Sequence, residues 1–177
     1  MKKILILLVV LLTGCTDLSN TPIKKTEEFV KKYQTLDNAV IEDLNKVVDN
    51  EITFSESQKE TYKDIMKKHY QNITYEIKED ETNGDEAEVT VEIEVTDFNK
   101  ALEEARKYLV EHPEEFNDDF GNYSLNKYND YKLEKLKEAK EKVKYNIEID
   151  LIKINDTWQV KTPDDETLDK INGIFDY

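Results

Sequence analysis

The chain is poor in the residues on which covalent cross-links and tight catalytic loops depend. Its 177 residues include one cysteine, four glycines and three prolines. A single cysteine excludes an internal disulfide, so the folded chain depends on its hydrophobic core for stability. So few glycines exclude a glycine-rich phosphate-binding loop, and no Gly-x-Ser-x-Gly sequence occurs. The two histidines lack metal-ligand spacing, and we therefore predict neither a metal nor a cofactor.

Basic residues are also scarce relative to acidic ones. The chain has 25 Lys and Arg residues against 40 Asp and Glu, a net charge of −15. Such a surface is repelled by the phosphates of nucleic acid, so we predict no nucleic-acid partner. The same charge accelerates association with basic molecules. A basic protein or a small ligand is the partner that the composition favours.

Long apolar runs are absent except for one short run at the start of the sequence. Lys2 and Lys3 precede nine consecutive apolar residues, Ile4 to Leu12. At roughly 1.5 Å per residue a helix of this length rises about 14 Å, which is about half the hydrocarbon core of a bilayer. The pattern therefore predicts a signal peptide and not a membrane-spanning helix.

The apolar run ends in Leu12-Thr13-Gly14-Cys15, which contains the only cysteine. This segment resembles the lipobox of bacterial lipoproteins. The resemblance implies cleavage after Gly14 and a diacylglyceryl group on Cys15, and two acyl chains suffice for lasting membrane attachment. It implies a signal peptide at 1–14, a lipidated cysteine and short spacer at 15–21, and a location on the extracytoplasmic face of the cell membrane. The alternative is an incidental cysteine near a cleaved end. Loss of Lys2 and Lys3 would leave 23 basic and 40 acidic residues, a net charge of −17.

Residues 22–177 are predicted to form one α+β domain. The number of residues suits one hydrophobic core. Apolar residues recur at helical spacing after several capping residues, and we predict that each opens a helix. The expected openings are Thr21-Pro22, Asp37, the capping box Ser55-x-x-Gln58, Asp97, Ser124 and Thr162-Pro163. The helix after Ser124 is expected to run through Val143, with a charged, protruding segment at 132–142.

Two other stretches show the alternation of apolar and polar residues that is typical of strands. They predict two hairpins, with turns at Asn83-Gly84 and Asn155-Asp156. The expected strands are 73–79, 86–96, 145–154 and 157–161. We therefore predict an antiparallel sheet of about four strands with helices on one face, N-terminal helices, and a helical insertion between the hairpins.

The order of these elements and the ending Ile149-x-Leu151-x-Lys153-x-Asn155-x-x-Trp158-x-Val160 resemble nuclear-transport-factor-like (cystatin-like) α+β lipoproteins. The resemblance implies a curved sheet that wraps a long helix and leaves a cone-shaped pocket. The helical insertion departs from that family's pattern.

Two groups of side chains are candidates for a functional site. His69 lies near Tyr62 and Tyr70 on the apolar side of the third predicted helix, where it could serve as a pocket base; the alternative is a partly buried histidine with a structural hydrogen bond. Aromatic residues also surround the acidic segment 113–123, where they could form an exposed contact site or part of the core. The candidate contact residues are Phe116, Phe120 and Tyr123.

These observations predict a membrane-anchored cell-envelope lipoprotein that binds a protein or a small ligand and has no catalytic residues. The alternative is an enzyme with a small-ligand pocket around His69.

Overall fold

The predicted α+β fold is confirmed. The structure is a computed structural model, and it describes residues 19–176. Within these residues the chain forms a four-stranded antiparallel sheet and six α-helices. The strands are β1 (Thr74–Asn83), β2 (Glu86–Thr96), β3 (Lys142–Ile154) and β4 (Thr157–Val160); the helices are α1 (Pro22–Gln34), α2 (Asn38–Asp49), α3 (Glu56–Gln71), α4 (Phe98–Glu111), α5 (Leu125–Glu138) and α6 (Asp165–Asn172), with a 3-10 helix at Pro113–Phe116.

Most helix starts follow the predicted capping residues, because a side-chain oxygen at that position accepts a hydrogen bond from an otherwise unpaired backbone N–H. Ser55 and Gln58 form the reciprocal hydrogen bonds of a capping box at the start of α3. The predicted last helix forms, but its predicted start at Thr162-Pro163 is wrong. Asp164 accepts the capping hydrogen bond from Thr167, and α6 begins after Thr162-Pro163. The predicted caps that are confirmed are Thr21, Asp37, Ser55, Asp97 and Ser124.

The sheet has one buried face and one acidic, solvent-facing side. Its strand order is β1-β2-β3-β4. The predicted turn at Asn155-Asp156 is confirmed, with both residues at positive φ. The first turn lies one residue later than predicted, at Gly84 and Asp85, because Asn83 pairs with Glu86. Residues that pair across β2 and β3, such as Val91 and Ile147, share the buried face. Alternate residues point the other way, so this side carries many carboxylates. Exposed carboxylates include Glu76, Glu79, Glu81, Glu86, Glu88, Glu148 and Asp150.

Helices cover the buried face of the sheet. Helix α1 contacts β4, β1 and β2, and α6 contacts β2 and β3. Thr26 and Val30 are the buried residues of α1. Trp158 of β4 is also buried in the core. The domain therefore has a sheet layer and a helix layer with the apolar residues of both between them.

The helix after Ser124 is shorter than predicted, and part of its predicted protruding segment is buried. It ends at Glu138, and Val143 belongs to β3. Its predicted protruding segment includes Leu133 and Leu136, which are buried in the main core. Side-chain spacing explains the error: these two residues fall on one helical face while the charged residues between them occupy the other.

The two ends of the sheet are structurally distinct. At one end Asn20 hydrogen-bonds to the β3–β4 turn: its Oδ1 accepts from the N–H of Trp158 at 2.9 Å, and its Nδ2 donates to the carbonyl of Asp156 at 2.6 Å. At the other end β2 leads into α4 and α5 leads into β3, where the N–H of Asp97 donates to the carbonyl of Glu141. The start of the described chain and the α4–α5 pair therefore lie at opposite ends of the sheet.

Candidate functional site

His69 is buried at the junction of α3, α4 and α6. Its ring is 3% exposed and stacks on Phe98 with 4.7 Å between ring centroids. Its Nε2 lies 2.8 Å from the carbonyl oxygen of Ile171, so Nε2 carries the proton and donates. The Nδ1 atom is buried and hydrogen-bonds to no group in the described chain.

The surroundings of His69 favour its neutral form. Burial lowers the pKa of His69 from 6.5 to about 4, the acceptor carbonyl of Ile171 opposes this shift, and the charge of Lys142 adds to it. A cavity of about 490 Å³ adjoins the ring. However, Nδ1, the ring nitrogen without a hydrogen bond, is buried. A general base must come within hydrogen-bond distance of the proton that it removes, and the burial of Nδ1 keeps it from a substrate. The geometry is that of a structural histidine.

Tyr62 and Tyr70 line a groove with Tyr33 of α1, whereas His69 lines the separate cavity described above. This groove, which we call the tyrosine groove, runs between α1, α2, α3 and the segment from β4 to α6 and has a volume of about 570 Å³. Tyr33 and Tyr70 pack edge to face at 5.2 Å between centroids. The structure thus brings Tyr62 and Tyr70 together in one groove. His69 packs edge to face on Tyr70, at 5.8 Å between ring centroids, but does not line this groove. The remaining apolar lining residues are Phe29, Ala39, Val40, Leu44, Val47, Met66, Val160, Pro163 and Leu168.

The tyrosine hydroxyls of the groove are protonated donors at neutral pH. Burial raises the pKa of Tyr33 to about 12, with a smaller contribution from Asp43. Burial also raises the pKa of Tyr62 and of Tyr70. The Tyr70 hydroxyl donates to Asn172 at 2.8 Å.

The predicted aromatic contact site divides into a buried part and an exposed part. Phe116 is buried and packs edge to face on Tyr128, at 5.5 Å between centroids. Phe120 and Tyr123 are 90% and 53% exposed. They belong to residues 110–125, which connect α4 to α5 at the ends of these helices farther from the sheet. We call this segment the tip.

Local hydrogen bonds order the tip. One carboxylate oxygen of Asp118 accepts from the N–H groups of Phe120 and Asn122, both at 2.9 Å. The Asn122 hydrogen bond is the largest of several causes that lower the pKa of Asp118. Ser124 donates its N–H to the carbonyl of Phe116 at 2.7 Å. Phe120 is therefore held out in solvent by an organised loop.

The tip combines acidic residues with exposed apolar side chains. Residues 110–125 contain five Asp and Glu residues and no Lys or Arg. Four side chains in this segment are large, apolar and at least 43% exposed: Val110, Phe120, Tyr123 and Leu125. Exposed apolar residues bordered by polar ones are typical of protein contact sites.

Neither a metal-binding cluster nor a membrane-spanning helix occurs in the described part of the chain. Residues 19–176 contain no group of three or more His, Cys, Asp or Glu side chains arranged to hold a metal ion. No helix within this range is long and apolar enough to cross a membrane. Cys15 and the predicted signal peptide lie outside the described residues.

The sequence indicated only part of the groove. Tyr33 lies on the apolar face of α1, but no local sequence pattern relates it to Tyr62 or to Asn172. The lysines that border the groove, Lys32, Lys46 and Lys161, come from three separate segments. Only the packing of α1, α2 and the β4–α6 segment brings these residues together.

Comparison of the chain with protein-family models, with curated proteins and with solved structures found no match. The resemblance to nuclear-transport-factor-like lipoproteins therefore stays a prediction.

Proposed function

We propose that the protein is a lipid-anchored interaction module of the cell envelope that presents its tip to a basic protein. The observation that carries this proposal is the placement of Asn20 and the tip with respect to the sheet. Asn20 lies five residues after Cys15 in the sequence, and a lipid on Cys15 would hold the β3–β4 turn near the membrane. The α4–α5 pair joins the sheet at its other end, which leaves the tip facing away from the bilayer.

The chemistry of the tip selects the class of partner. The Phe120 ring offers a large apolar surface, and its side chain loses little conformational freedom on binding. Aromatic residues are common binding hot spots. The surrounding carboxylates repel an acidic surface and attract a basic one. A basic protein with an apolar pocket fits both features.

The anchor is tested with Cys15→Ser. We expect the wild-type chain to partition into the detergent phase and its N-terminal peptide to carry a diacylglyceryl group on Cys15. The Cys15→Ser chain should stay in the aqueous phase, since it has no acceptor thiol. Mass spectrometry of the mature N-terminus is the direct measurement. An unmodified N-terminus that begins at another residue would contradict the proposal.

The tip is tested with a photo-reactive amino acid at position 120 in the lipidated protein, in cells. We expect one dominant cross-linked protein of basic isoelectric point. The same amino acid at position 154 is the matched control, because Ile154 is also exposed but lies beside the β3–β4 turn. It should give no such product.

Two measurements then show whether the contact depends on charge and on the aromatic ring. Association of the purified partner should slow as ionic strength rises, because added salt screens the attraction. Phe120→Ala should weaken binding about thirtyfold or more, as loss of a central aromatic residue commonly costs about 2 kcal/mol or more. Equal cross-linking from positions 120 and 154, or an association rate indifferent to salt, would refute the proposed contact.

The alternative, an enzyme that uses His69, has less support. It needs the Nδ1 atom to face a substrate, and this atom is buried. It also needs Tyr62 and Tyr70 in the same site, and they line the tyrosine groove, whereas His69 lines a different cavity.

A further inference from the structure

The tyrosine groove has a charge opposite in sign to that of the protein. Three lysines and one aspartate border it: Lys32, Lys46, Lys161 and Asp43. Lys46 pairs with Asp43 at 2.9 Å, and Lys161 lies 3.5 Å from Glu86, which is not part of the groove. No ion pair to Lys32 is found among residues 19–176. Cationic side chains are therefore concentrated at one apolar concavity of a chain whose net charge is −15.

We infer that the tyrosine groove binds an amphipathic anion with an apolar body, such as a medium- or long-chain carboxylate. The groove volume of about 570 Å³ lies in the range of small-molecule sites. Aromatic and aliphatic side chains from α1, α2 and α3 line it and supply apolar contact. The lysines attract the anionic head group, which is the property that distinguishes this occupant from a neutral or cationic amphiphile.

Two of the tyrosine hydroxyls that line the groove are also free to donate hydrogen bonds. Within the described chain the hydroxyls of Tyr33 and Tyr62 have no hydrogen-bond partner, whereas that of Tyr70 is engaged by Asn172. Charge-assisted hydrogen bonds to a carboxylate are stronger than neutral ones. Lys32 and Tyr33 occupy adjacent positions at the end of α1, and both line the groove. Lys32 has no ion pair within the described chain, so it and the Tyr33 hydroxyl are the expected partners of the head group.

The test uses three probes that share one tail: dodecanoate, dodecanol and dodecyltrimethylammonium, each kept below its micelle concentration. Trp158 is the only tryptophan, and it lies two residues before Val160 in the groove wall, so its fluorescence reports binding. We expect dodecanoate to bind at least tenfold more tightly than dodecyltrimethylammonium, with dodecanol between them. Cys15→Ser is the background for every variant, so that any probe bound by residues 1–18 contributes equally.

Charge reversal locates the head group. The double variant Lys32→Glu, Lys161→Glu should weaken dodecanoate binding at least tenfold and strengthen binding of the cationic probe. Lys107→Glu is the matched control, since Lys107 is exposed on α4 and lies outside the groove. It should change both affinities less than twofold. Tyr33→Phe should weaken dodecanoate binding several-fold by removing one donor.

Blocking the groove gives an independent result that does not disturb the core. Ala39 lies in the first turn of α2, is exposed, and lines the groove. Ala39→Trp should fill part of the volume and abolish dodecanoate binding while circular dichroism stays unchanged. Equal affinity for the anionic and cationic probes, no binding of dodecanoate, or the same loss in Lys107→Glu as in the double variant would overturn the inference. None of these outcomes bears on the tip, which is far from the groove in sequence and shares no residue with it.

Discussion

Gly173→Ala is expected to lower the free energy of unfolding by about 4 kcal/mol. Gly173 ends α6 with φ of +70°, a conformation that alanine adopts only with strain. A Cβ atom there would also lie 2.1 Å from the carbonyl oxygen of Thr96 and 3.0 Å from Cε1 of His69. The backbone would have to move, and the Gly173 carbonyl would lose good geometry with the N–H groups of Phe98 and Asn99.

Chemical denaturation of Gly173→Ala and of Gly84→Ala separates steric conflict from backbone strain. Gly84 has a similar φ of +64°, but no atom lies within 4 Å of the position of an added Cβ. Its replacement should therefore cost only the strain of a left-handed alanine, about 1–2 kcal/mol. Equal losses of unfolding free energy for the two variants would show that the steric conflict between the added Cβ and Thr96 adds nothing to the destabilisation.

Acidification is expected to destabilise the domain by about 3 kcal/mol between pH 7 and pH 4 through His69 alone. The folded state holds the pKa of this imidazole at about 4, below the 6.5 of the unfolded chain. The unfolded state therefore binds a proton more readily over this interval. The stabilisation is complete above pH 6.5, is lost as the pH falls toward 4, and falls no further once both states are protonated. By pH 5 the loss should reach about 2 kcal/mol.

His69→Gln removes this titration and keeps an amide that can donate to the Ile171 carbonyl. We expect a free energy of unfolding that changes much less between pH 7 and pH 5 than in the wild type, whatever its value at pH 7. His112→Gln is the matched control: it removes the other histidine, at the end of α4, and should keep the wild-type slope. Restricting the comparison to pH 5 and above limits the contribution of carboxylates. A wild-type slope in His69→Gln would refute the assignment.

Local signals predicted every helix start except that of α6, and the order of elements. Ser55 and Asp97 cap helices as expected because the hydrogen bonds that they accept depend on neighbours three residues away. The strand ends were less accurate. The second half of β1, from Lys78 to Asn83, is entirely polar and shows no alternation, yet it is a strand because β2 pairs with it.

The candidate sites show the same division between local and long-range information. The exposure of Phe120 and the burial of Phe116 could not be distinguished from the sequence, since both rings lie in one acidic aromatic segment. What separates them is the packing of Phe116 against Tyr128 of the next helix. Gly173 gave no sequence signal beyond the end of a short helix, because Thr96, which it contacts, lies in β2.

The attachment of Asn20 to the β3–β4 turn has a mechanical consequence. If the lipid holds one end of the sheet and a partner pulls on the tip at the other, tension runs along the strands. Helices α4 and α5 join β2 and β3 at the same end of the sheet, so a pull on the tip moves these two strands together. Sliding is instead resisted where α1, the first helix after the anchor, packs on β4, β1 and β2. The lipid attachment point therefore makes the packing of α1 on the sheet the contact that carries the load.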